Sequence, residues 1–267
     1  ITEGLVGSEM CIRDSYSHKI KDPVKGWIRK NEQFLPKWRK DPHIRKYTRM
    51  VCDPTNSHNR DEELNTWTGY EVDRIKKDHN WTRGKELVLL YLRFQKYLFN
   101  SKRQVLFGLD WQSHIFALPE EKPGIMACLL GEQGGGKSTW FEVISILIGM
   151  DLVMVSGKPE NDFYGSNGTI CIANKKFLNC QECSSDALKK HADGLKPVIT
   201  DRVIRCKGMC KDPIPIDSIH ACGLSSNHLD APPDSEKERR FWAAMCTTMW
   251  AEYKDPEKRI PWSSPEE

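Results

Sequence analysis

The sequence GEQGGGKST at residues 131–139 decides the fold class of this 267-residue chain. It follows the pattern G-x-x-x-x-G-K-S, in which glycines let the backbone wrap a polyphosphate, a lysine reaches the terminal phosphates and a serine hydroxyl ligates Mg²⁺. Apolar residues at 125–130 precede it and apolar residues recur from 140 to 148 after it. The stretch therefore predicts a phosphate-binding loop between a buried strand and a helix; a flexible glycine-rich loop is the alternative. The predicted ligands are a nucleoside triphosphate and Mg²⁺, held by Gly131, Glu132, Gln133, Gly134, Gly135, Gly136, Lys137, Ser138 and Thr139, with Ser138 on the metal.

Strand and helix patterns alternate on both sides of this loop. Upstream, apolar residues three and four apart predict helices over residues 85–99 and 105–118. Downstream, a helix is predicted over residues 184–192, and strands over residues 151–156, 177–182, 198–206, 219–226 and 240–250. Such alternation is typical of a parallel sheet covered by helices. The predicted fold class is α/β: an AAA+-like P-loop NTPase domain with a mostly parallel sheet flanked by helices, preceded by a small helical region.

Composition divides the chain into five segments. Residues 1–15 contain GSEMCIRDS, which resembles translated library-adapter sequence, and the chain begins with Ile rather than Met. We expect this segment to be non-native and the chain to be a fragment; a native N-terminus is the alternative. The other expected segments are a basic, aromatic, partly ordered region at 16–84, a helical collar at 85–122, the P-loop NTPase domain at 123–250 and a charged, truncated tail at 251–267.

The bulk composition is that of a globular protein, with 39% hydrophobic and 29% charged residues. No apolar run approaches the roughly 18 residues of a membrane helix, so we expect a soluble, intracellular protein without a membrane partner. Ten cysteines are scattered along the chain. Cys180-x-x-Cys183 and Cys206-x-x-x-Cys210 have the spacing of zinc-binding pairs, whereas reduced, buried or surface thiols are the simpler interpretation.

Positive charge is concentrated near the N-terminus. Residues 16–50 contain eleven lysines and arginines against three acidic residues, although the whole chain carries a net charge of only +3. Trp27, Phe34, Trp38 and Tyr47 lie among these cations. A basic stretch with interleaved aromatic residues suits a contact with nucleic acid. A solvated, partly disordered basic arm is the alternative.

A phosphate loop needs partners elsewhere in the sequence. An acid must organise Mg²⁺ and polarise the attacking water; Glu182, at the end of the predicted FLNCQE strand, is the candidate, and a carboxylate at a helix start is the alternative. Asn227, after the predicted strand HACGLSS, is the candidate sensor of phosphate or water, or else a turn asparagine. Arg239 or Arg240 is the candidate for a cation supplied in trans, or else the two form a solvated pair.

A basic hairpin is predicted between Glu182 and Asn227, in the sequence LKPVITDRVIRCKG at residues 195–208. Lysine and arginine side chains on such a hairpin would contact the phosphates of a nucleic acid. A solvent-facing basic hairpin without a ligand is the alternative. The predicted nucleic-acid-binding residues are Lys196, Arg202, Arg205, Lys207 and Lys211.

Taken in order, these pieces resemble superfamily 3 helicases, and in particular the poxvirus-type group of primase-helicases from large DNA viruses, phages and mobile elements. The family's Walker A loop corresponds to residues 131–139 and its Walker B strand to FLNCQE at 177–182. Three further segments correspond to its B-prime segment, its motif C and its arginine pair before an aromatic strand: residues 195–208, CGLSSN at 222–227 and ERRFW at 238–242. An upstream Asn-aromatic-Gly segment is also similar, within DPTNSHNRDEELNTWTGYEV at residues 53–72. The resemblance covers roughly residues 44–250.

The resemblance implies an ATP-dependent helicase that assembles as a homo-hexameric ring and translocates on single-stranded DNA at a viral or phage replication site. It implies that Lys137 and Ser138 hold the triphosphate and Mg²⁺, that Glu182 polarises water and that Asn227 positions it. Arg239 or Arg240 would act across the subunit boundary, and the basic hairpin would grip DNA. A primase or polymerase domain is the partner expected upstream.

One residue departs from the family pattern. The acid pair expected at the end of the Walker B strand is Gln181-Glu182 here, so one carboxylate is missing. Mg²⁺ would then depend on Ser138 and water, with Glu182 left as the base. Two other functions stay open: a nucleotide switch or assembly ATPase that never unwinds nucleic acid, and a non-catalytic DNA-binding remnant.

Overall fold

The computed structural model describes residues 15–22, 26–33, 40–74, 81–99, 101–163, 169–181, 192–208, 212–229, 231–232 and 239–248. The chain divides into two compact units, Ile1–Thr48 and Arg49–Glu267. The described strands are β1 (Ser15–Asp22), β2 (Gly26–Gln33), β3 (Arg49–Val51), β4 (Glu63–Asn65), β5 (Met126–Leu130), β6 (Val153–Ser156), β7 (Phe177–Gln181), β8 (Val203–Cys206), β9 (Ile214–Asp217), β10 (Ala221–Ser226) and β11 (Phe241–Met245). The described α-helices are α1 (Glu71–Arg74), α2 (Trp81–Leu98), α3 (Lys102–Ala117), α4 (Lys137–Ile148), α5 (Pro159–Asp162) and α6 (Ala192–Thr200).

A five-stranded sheet forms the centre of the larger unit, in the order β11-β5-β10-β7-β6. All four strand pairs in it are parallel. Every residue of β5 and of β10 is buried, as expected for parallel strands that are covered on both faces. Because β10 lies between β5 and β7, the carboxyl ends of these three strands meet at one edge of the sheet. The predicted α/β fold with a mostly parallel sheet is therefore confirmed.

Helix α4 covers one face of this sheet. Trp140, Phe141, Ile144 and Ile148 are almost completely buried, at no more than 1% exposure, and each such side chain contributes about 1.5–3 kcal/mol through removal from water. The helix lies so close to β10 that a Cβ atom built on Gly223 would be 2.4 Å from the Phe141 ring. Position 223 therefore accepts only a residue without a side chain.

We expect Gly223→Ala to lower the free energy of unfolding by about 1–3 kcal/mol, because the added methyl group would overpack the core against the fixed ring of Phe141. Urea denaturation measures the change. Gly157→Ala is the matched control, because the nearest atom to its new Cβ would be the Gln181 carbonyl oxygen at an ordinary 3.6 Å. Equal stability of the two variants would contradict the tight packing of α4 on β10.

Helix α6 contributes to a second core on the other side of the sheet. Leu195, Val198 and Ile199 are buried there with Leu178 and Leu224. The sequence pattern predicted a strand over residues 198–206. This prediction is wrong for residues 198–200, which belong to α6, whereas Val203–Cys206 form strand β8. β-branched residues and Pro197 disfavour a helix locally. Burial of three apolar side chains at helical spacing outweighs that preference.

Helices α2 and α3 form the predicted helical pair before the phosphate loop. Helix α3 begins after Ser101, whose hydroxyl accepts a hydrogen bond from the Gln104 backbone N–H at 3.2 Å, an N-cap that satisfies one free donor. From α3, the Trp111 ring stacks on Trp140 with a centroid separation of 5.7 Å. The Tyr70 hydroxyl donates to the Ile115 carbonyl, which attaches the Asn-aromatic-Gly segment to α3.

Several predicted boundaries differ from the observed ones. Residues 150–152 form a short 3-10 turn, so β6 begins at Val153 instead of residue 151. Strand β10 begins at Ala221 instead of residue 219, and β11 covers only residues 241–245 of the predicted 240–250. Most of the predicted helix at 184–192 lies outside the described residues. None of the described helices is long and apolar enough to cross a membrane.

The smaller unit contains one antiparallel hairpin, formed by β1 and β2 in full register from the Ser15–Gln33 pair to the Asp22–Gly26 pair. The sequence pattern of this region predicted only a basic, partly ordered stretch. The eight-residue strands were not recognised because neither shows the continuous alternation of apolar and polar residues that indicates a half-buried strand.

Candidate nucleotide-binding site

The predicted phosphate loop lies between β5 and α4, so the strand–loop–helix prediction is confirmed. Gly136, the residue before α4, has a φ of 92°, which is strained for any residue with a side chain. Cβ atoms built on Gly131 and Gly135 would lie 2.8 Å from the carbonyl oxygens of Cys246 and Thr247, respectively. The glycines are therefore required both by the turn into the helix and by the backbone that follows β11.

The Lys137 ammonium group lies inside the loop. Its Nζ donates to the carbonyl oxygens of Gly131 at 2.7 Å and Glu132 at 2.6 Å, and to Asn227 Oδ1 at 3.0 Å. The residue is 6% exposed, and this burial lowers the pKa of its ammonium group below the usual 10.5, against an opposing effect of Cys246. The loop thus holds a single cation that is surrounded by oxygen acceptors.

Asn227 reaches Lys137 because of the sheet order. Strand β10 pairs with β5 so that Ser226 lies opposite Leu130. Asn227 follows directly after β10 and Gly131 directly after β5, so both residues leave the sheet at the same level. The Ser226 hydroxyl accepts the His228 backbone N–H at 3.1 Å, which fixes the turn that carries Asn227. Two residues 90 positions apart, both predicted from sequence as site residues, are brought together by a hydrogen bond.

The remaining loop residues present polar groups to solvent. Glu132, Gln133 and Gly134 are exposed, and so are Ser138 and Thr139 in the first turn of α4. The N-terminus of this 12-residue helix carries free backbone N–H groups and partial positive charge, which attract phosphate. An exposed serine hydroxyl beside such an N-terminus fits the ligand set of Mg²⁺, and Ser138 is the described residue that would hold it.

The Walker B end of β7 is described only as far as Gln181. Gln181 is half-buried and pairs in register with Ser225 of β10, so it lies at the same sheet edge as the loop. Glu182 lies outside the described residues, and its role stays a prediction. Among the described residues no group of three or more His, Cys, Asp or Glu is placed to hold a metal ion. Of the two possible zinc pairs, Cys180 and Cys206 are buried, and Cys183 and Cys210 lie outside the described residues.

Arg239 and Arg240 lie at the opposite edge of the sheet from the loop. The Arg240 carbonyl accepts the Met126 backbone N–H at 2.8 Å, so the arginine pair precedes β11 at the amino end of the strands. The five residues of β11 separate it from the loop by about 16 Å along the strand. The fold does not bring these arginines to the loop of the same chain.

The predicted basic hairpin is only partly observed. Strands β8 and β9 form an antiparallel hairpin, with Arg202, Arg205 and Lys207 exposed on or beside β8. Lys196 is not part of it and lies on α6, where its ammonium group pairs with Asp193 at 2.9 Å. The predicted hairpin therefore began too early, because Leu195, Val198 and Ile199 of α6 pack into the core. Lys211 lies outside the described residues.

The segment that closes the loop from behind was not predicted from the sequence. The Cys246 backbone N–H donates to the Leu130 carbonyl at 2.7 Å, and the Thr247 N–H donates to the Leu98 carbonyl at 2.9 Å. The Thr247 hydroxyl also donates to the Tyr97 carbonyl. These bonds join the end of α2 to the back of the loop. Apart from the Thr247 hydroxyl as a donor, they use backbone groups, which leave no signal in the sequence.

Two lysines lie at the amino edge of the sheet, Lys176 buried and Lys122 half-buried, and no sequence pattern indicated them. Lys176 Nζ donates to the carbonyl oxygens of Pro119, Glu121 and Ile219 at 2.8, 2.9 and 3.0 Å. Lys122 Nζ donates to the Val198 and Asp201 carbonyl oxygens at 2.7 and 2.6 Å. Each ammonium group thus links connecting segments of the chain at the end of the sheet opposite the loop.

Lys176 is expected to make stability depend on pH. Burial lowers the pKa of its ammonium group from 10.5 to about 7, so above pH 7 the unfolded chain binds more proton here and stability rises with pH. The free energy of unfolding, measured in urea between about pH 7 and 8.5, should rise less in Lys176→Met than in the wild type. Lys175→Met is the control, and equal slopes in Lys176→Met and the wild type would contradict this assignment.

Solved structures of other proteins are similar to this fold. Residues 129–240 match a family model described as a family of unknown function, DUF5906, and no curated protein matches the chain. The apo structure of the NrS-1 C-terminal region is similar with a TM-score of 0.58 and 15% identity, over 81% of this chain and 50% of that chain. Its A-form apo structure is similar with a TM-score of 0.61 and 15% identity, over 95% and 60%. The chain thus spans about half to three fifths of those structures. The shared feature is the fold, an α/β domain of the P-loop NTPase type.

Proposed function

We propose that the chain is an ATP-dependent DNA helicase of the superfamily 3 type, in which hydrolysis at residues 131–139 drives movement along single-stranded DNA. The observation that carries the proposal is the hydrogen bond between Lys137 Nζ and Asn227 Oδ1 at 3.0 Å. It joins the last residue of the motif C-like segment to the phosphate loop, at the distance needed for both to act on one phosphate group.

On binding of ATP, phosphate oxygens would replace the protein oxygens that now accept hydrogen bonds from the Lys137 ammonium group. The Lys137 ammonium group now donates to two loop carbonyls and to Asn227. Phosphate oxygens carry more negative charge than carbonyl oxygens and make stronger hydrogen bonds to an ammonium group. The backbone N–H groups at the start of α4 would bind the same phosphates. Ser138 and water would hold Mg²⁺, which would supply neutralisation of the phosphate charge.

The chain's own residues would then prepare the attacking water. Glu182 is proposed as the base that accepts its proton, and Asn227 as the residue that orients it. Asn227 is suited to this role because the bond from the His228 N–H to Ser226 fixes its turn, and because a neutral amide both donates and accepts. Movement of Asn227 on ATP binding would be passed to β10.

A homo-hexameric ring is part of this proposal. The arginine pair at 239–240 lies about 16 Å along β11 from the loop of its own chain. A cation there supports ATP hydrolysis only in a neighbouring subunit. Exposed Arg202, Arg205 and Lys207 beside the β8–β9 hairpin are proposed to contact the phosphates of single-stranded DNA. An upstream primase or polymerase domain and a viral or phage replication site belong to the same proposal.

The test is ATP turnover with and without single-stranded DNA, together with unwinding of a forked duplex. The helicase proposal predicts that oligo(dT) stimulates turnover and that the fork opens only with ATP. If DNA does not change the rate of ATP turnover and the fork is not unwound, the helicase proposal is contradicted and a nucleotide switch or assembly ATPase is favoured. DNA binding without ATP turnover would also contradict it and would favour a non-catalytic remnant. This alternative is specific because Gln181 stands where the family pattern has an acid.

A further inference from the structure

The first half of helix α2 exposes an apolar turn. Four consecutive residues, Leu87, Val88, Leu89 and Leu90, are 56, 59, 56 and 44% exposed. Because successive residues of a helix point about 100° apart, these side chains project in four directions around the helix axis. Leu89 lies nine residues, about two and a half turns, before the buried Leu98 and therefore on the opposite side of the helix. A helix that is apolar all round is normally buried, so this turn is suited to insertion into another surface.

Cations flank the outward side of this turn. Lys85 and Arg93 lie four residues before and after Leu89, and Lys96 lies seven after it, so the three cations share one helix face with Leu89. All three are exposed, and so is Leu92, which extends the apolar part of this face. The helix contains a single acidic residue. The outward side of α2, which we term the α2 face, therefore combines two leucines with three cations.

A cleft of about 330 Å³ lies at the C-terminal end of α4. Its apolar lining includes Ile146 and Met150, which are 65 and 62% exposed. Glu71 and Asp151 contribute acidic groups to its walls. The two walls approach each other closely at Gly149, where an added Cβ atom would be 3.4 Å from the Glu71 Cβ atom. We term this site the α4 cleft.

The α4 cleft is acidic. Four exposed acids lie on its walls and on the adjoining helical turns: Glu71, Asp73, Glu142 and Asp151. Two nearby cations are already bonded, because Arg74 pairs with Glu71 at 3.0 Å and the Lys175 ammonium group donates to the Asp151 carbonyl at 2.7 Å. The C-terminal end of α4 adds partial negative charge. The cleft is therefore complementary, in both charge and apolar lining, to the α2 face.

A second copy of the chain is the partner that fits these two surfaces. Two α2 faces would not pair with each other, because their cations would be opposed and like charges across an interface repel. An anionic membrane also attracts cations, but a helix lying on a bilayer buries only one side, whereas the turn at residues 87–90 is apolar in four directions. Contact of the α2 face with the α4 cleft of the next copy is head-to-tail, and such contacts close into rings.

We propose that the α2 face of one subunit docks into the α4 cleft of the next. Leu89 packs against Ile146 and Met150, and Arg93 pairs with Asp151. The contact rests on the ring proposed above and names the surfaces that join its subunits. Each contact is small, and closure of the ring stabilises the set, because every subunit then uses both surfaces.

The test measures the dissociation constant for self-association of the full chain, by sedimentation velocity over a concentration series. Arg93→Glu and Asp151→Lys each oppose like charges, so each should raise this constant by about tenfold or more. The double variant Arg93→Glu/Asp151→Lys restores opposite charges and should return to within about threefold of the wild type. Lys158→Glu is the matched control: it makes a similar charge change at an exposed residue beyond the other end of β6 and should leave association unchanged.

A wild type that stays monomeric at every concentration would overturn the proposal, and so would a double variant that does not recover association. Equal weakening in Arg93→Glu and Lys158→Glu would mean that only net charge matters. Binding to phosphatidylserine vesicles, lost in Leu89→Gln, in place of self-association would assign the α2 face to a membrane instead. Unwinding without recovery in the charge swap would contradict this contact alone. Recovery of association in a protein without ATP turnover or unwinding would contradict only the proposed function.

Discussion

Lys137→Ala is expected to lower ATP turnover by about 10²–10³-fold or more, the loss that follows removal of one preorganised charge-stabilising donor. The ammonium group lies within 3.0 Å of two loop carbonyl oxygens and of Asn227 Oδ1, and no other lysine among the described residues is bonded to the loop carbonyls. The substitution removes the cation that would neutralise charge developing on the phosphates. Steady-state turnover of ATP with Mg²⁺ measures the effect.

The control for this prediction must separate chemistry from folding. Loss of Lys137 leaves two loop carbonyls and one amide oxygen without a donor, which costs stability by about 1–3 kcal/mol for a buried group. The thermal midpoint of Lys137→Ala should therefore be measured alongside its activity. Lys175→Met removes a lysine whose ammonium group donates to the Asp151 carbonyl at 2.7 Å, outside the loop, and should keep wild-type turnover. Retained turnover in a folded Lys137→Ala protein would mean that the nucleotide binds elsewhere.

Loop geometry explains why this part of the site is predictable from sequence. A stretch with glycines at 131, 134, 135 and 136 is compatible with few backbone paths, and the observed positive φ values at Gly134 and Gly136 are ones that glycine readily adopts. The alternation of apolar strands and amphipathic helices similarly predicts a parallel sheet. Local chain chemistry dictates both features, so one sequence is sufficient to recognise them.

Features that depend on distant backbone groups were not predictable in the same way. The Leu98 and Thr247 backbones meet behind the loop, and any side chains at these positions would be compatible with that bond. The last three residues of helix α6 were predicted as part of a strand because local preference at Val198 and Ile199 favours a strand, while the benefit of burying them arises only from the complete fold. The contact between Lys137 and Asn227 required the strand order, which no single segment encodes.

The second large effect on ATP turnover is expected at Asn227, because this residue connects the motif C-like segment to the phosphate loop. We expect Asn227→Ala to lower kcat by about 10- to 100-fold, within the range typical for loss of a group that positions or polarises a reactant. The KM for ATP should change little, because Lys137 and the α4 N-terminus would still hold the phosphates. Asn227→Asp should instead weaken ATP binding, since a carboxylate 3.0 Å from Lys137 Nζ would pair with the cation and repel phosphate. His228→Ala, at the next exposed position, is the control.

A double-mutant cycle tests whether Asn227 acts through Lys137. The quantity is the dissociation constant of a fluorescent ATP analogue in the wild type, Asn227→Asp, Lys137→Ala and the double variant. If the two side chains act as a unit, Asn227→Asp should weaken binding strongly in the wild type and much less in the Lys137→Ala background, where no cation remains to be paired. A coupling energy of about 0.5–3 kcal/mol is typical of residues in contact. Additive losses would show that Asn227 acts independently of the lysine and would remove the observation on which the helicase proposal depends.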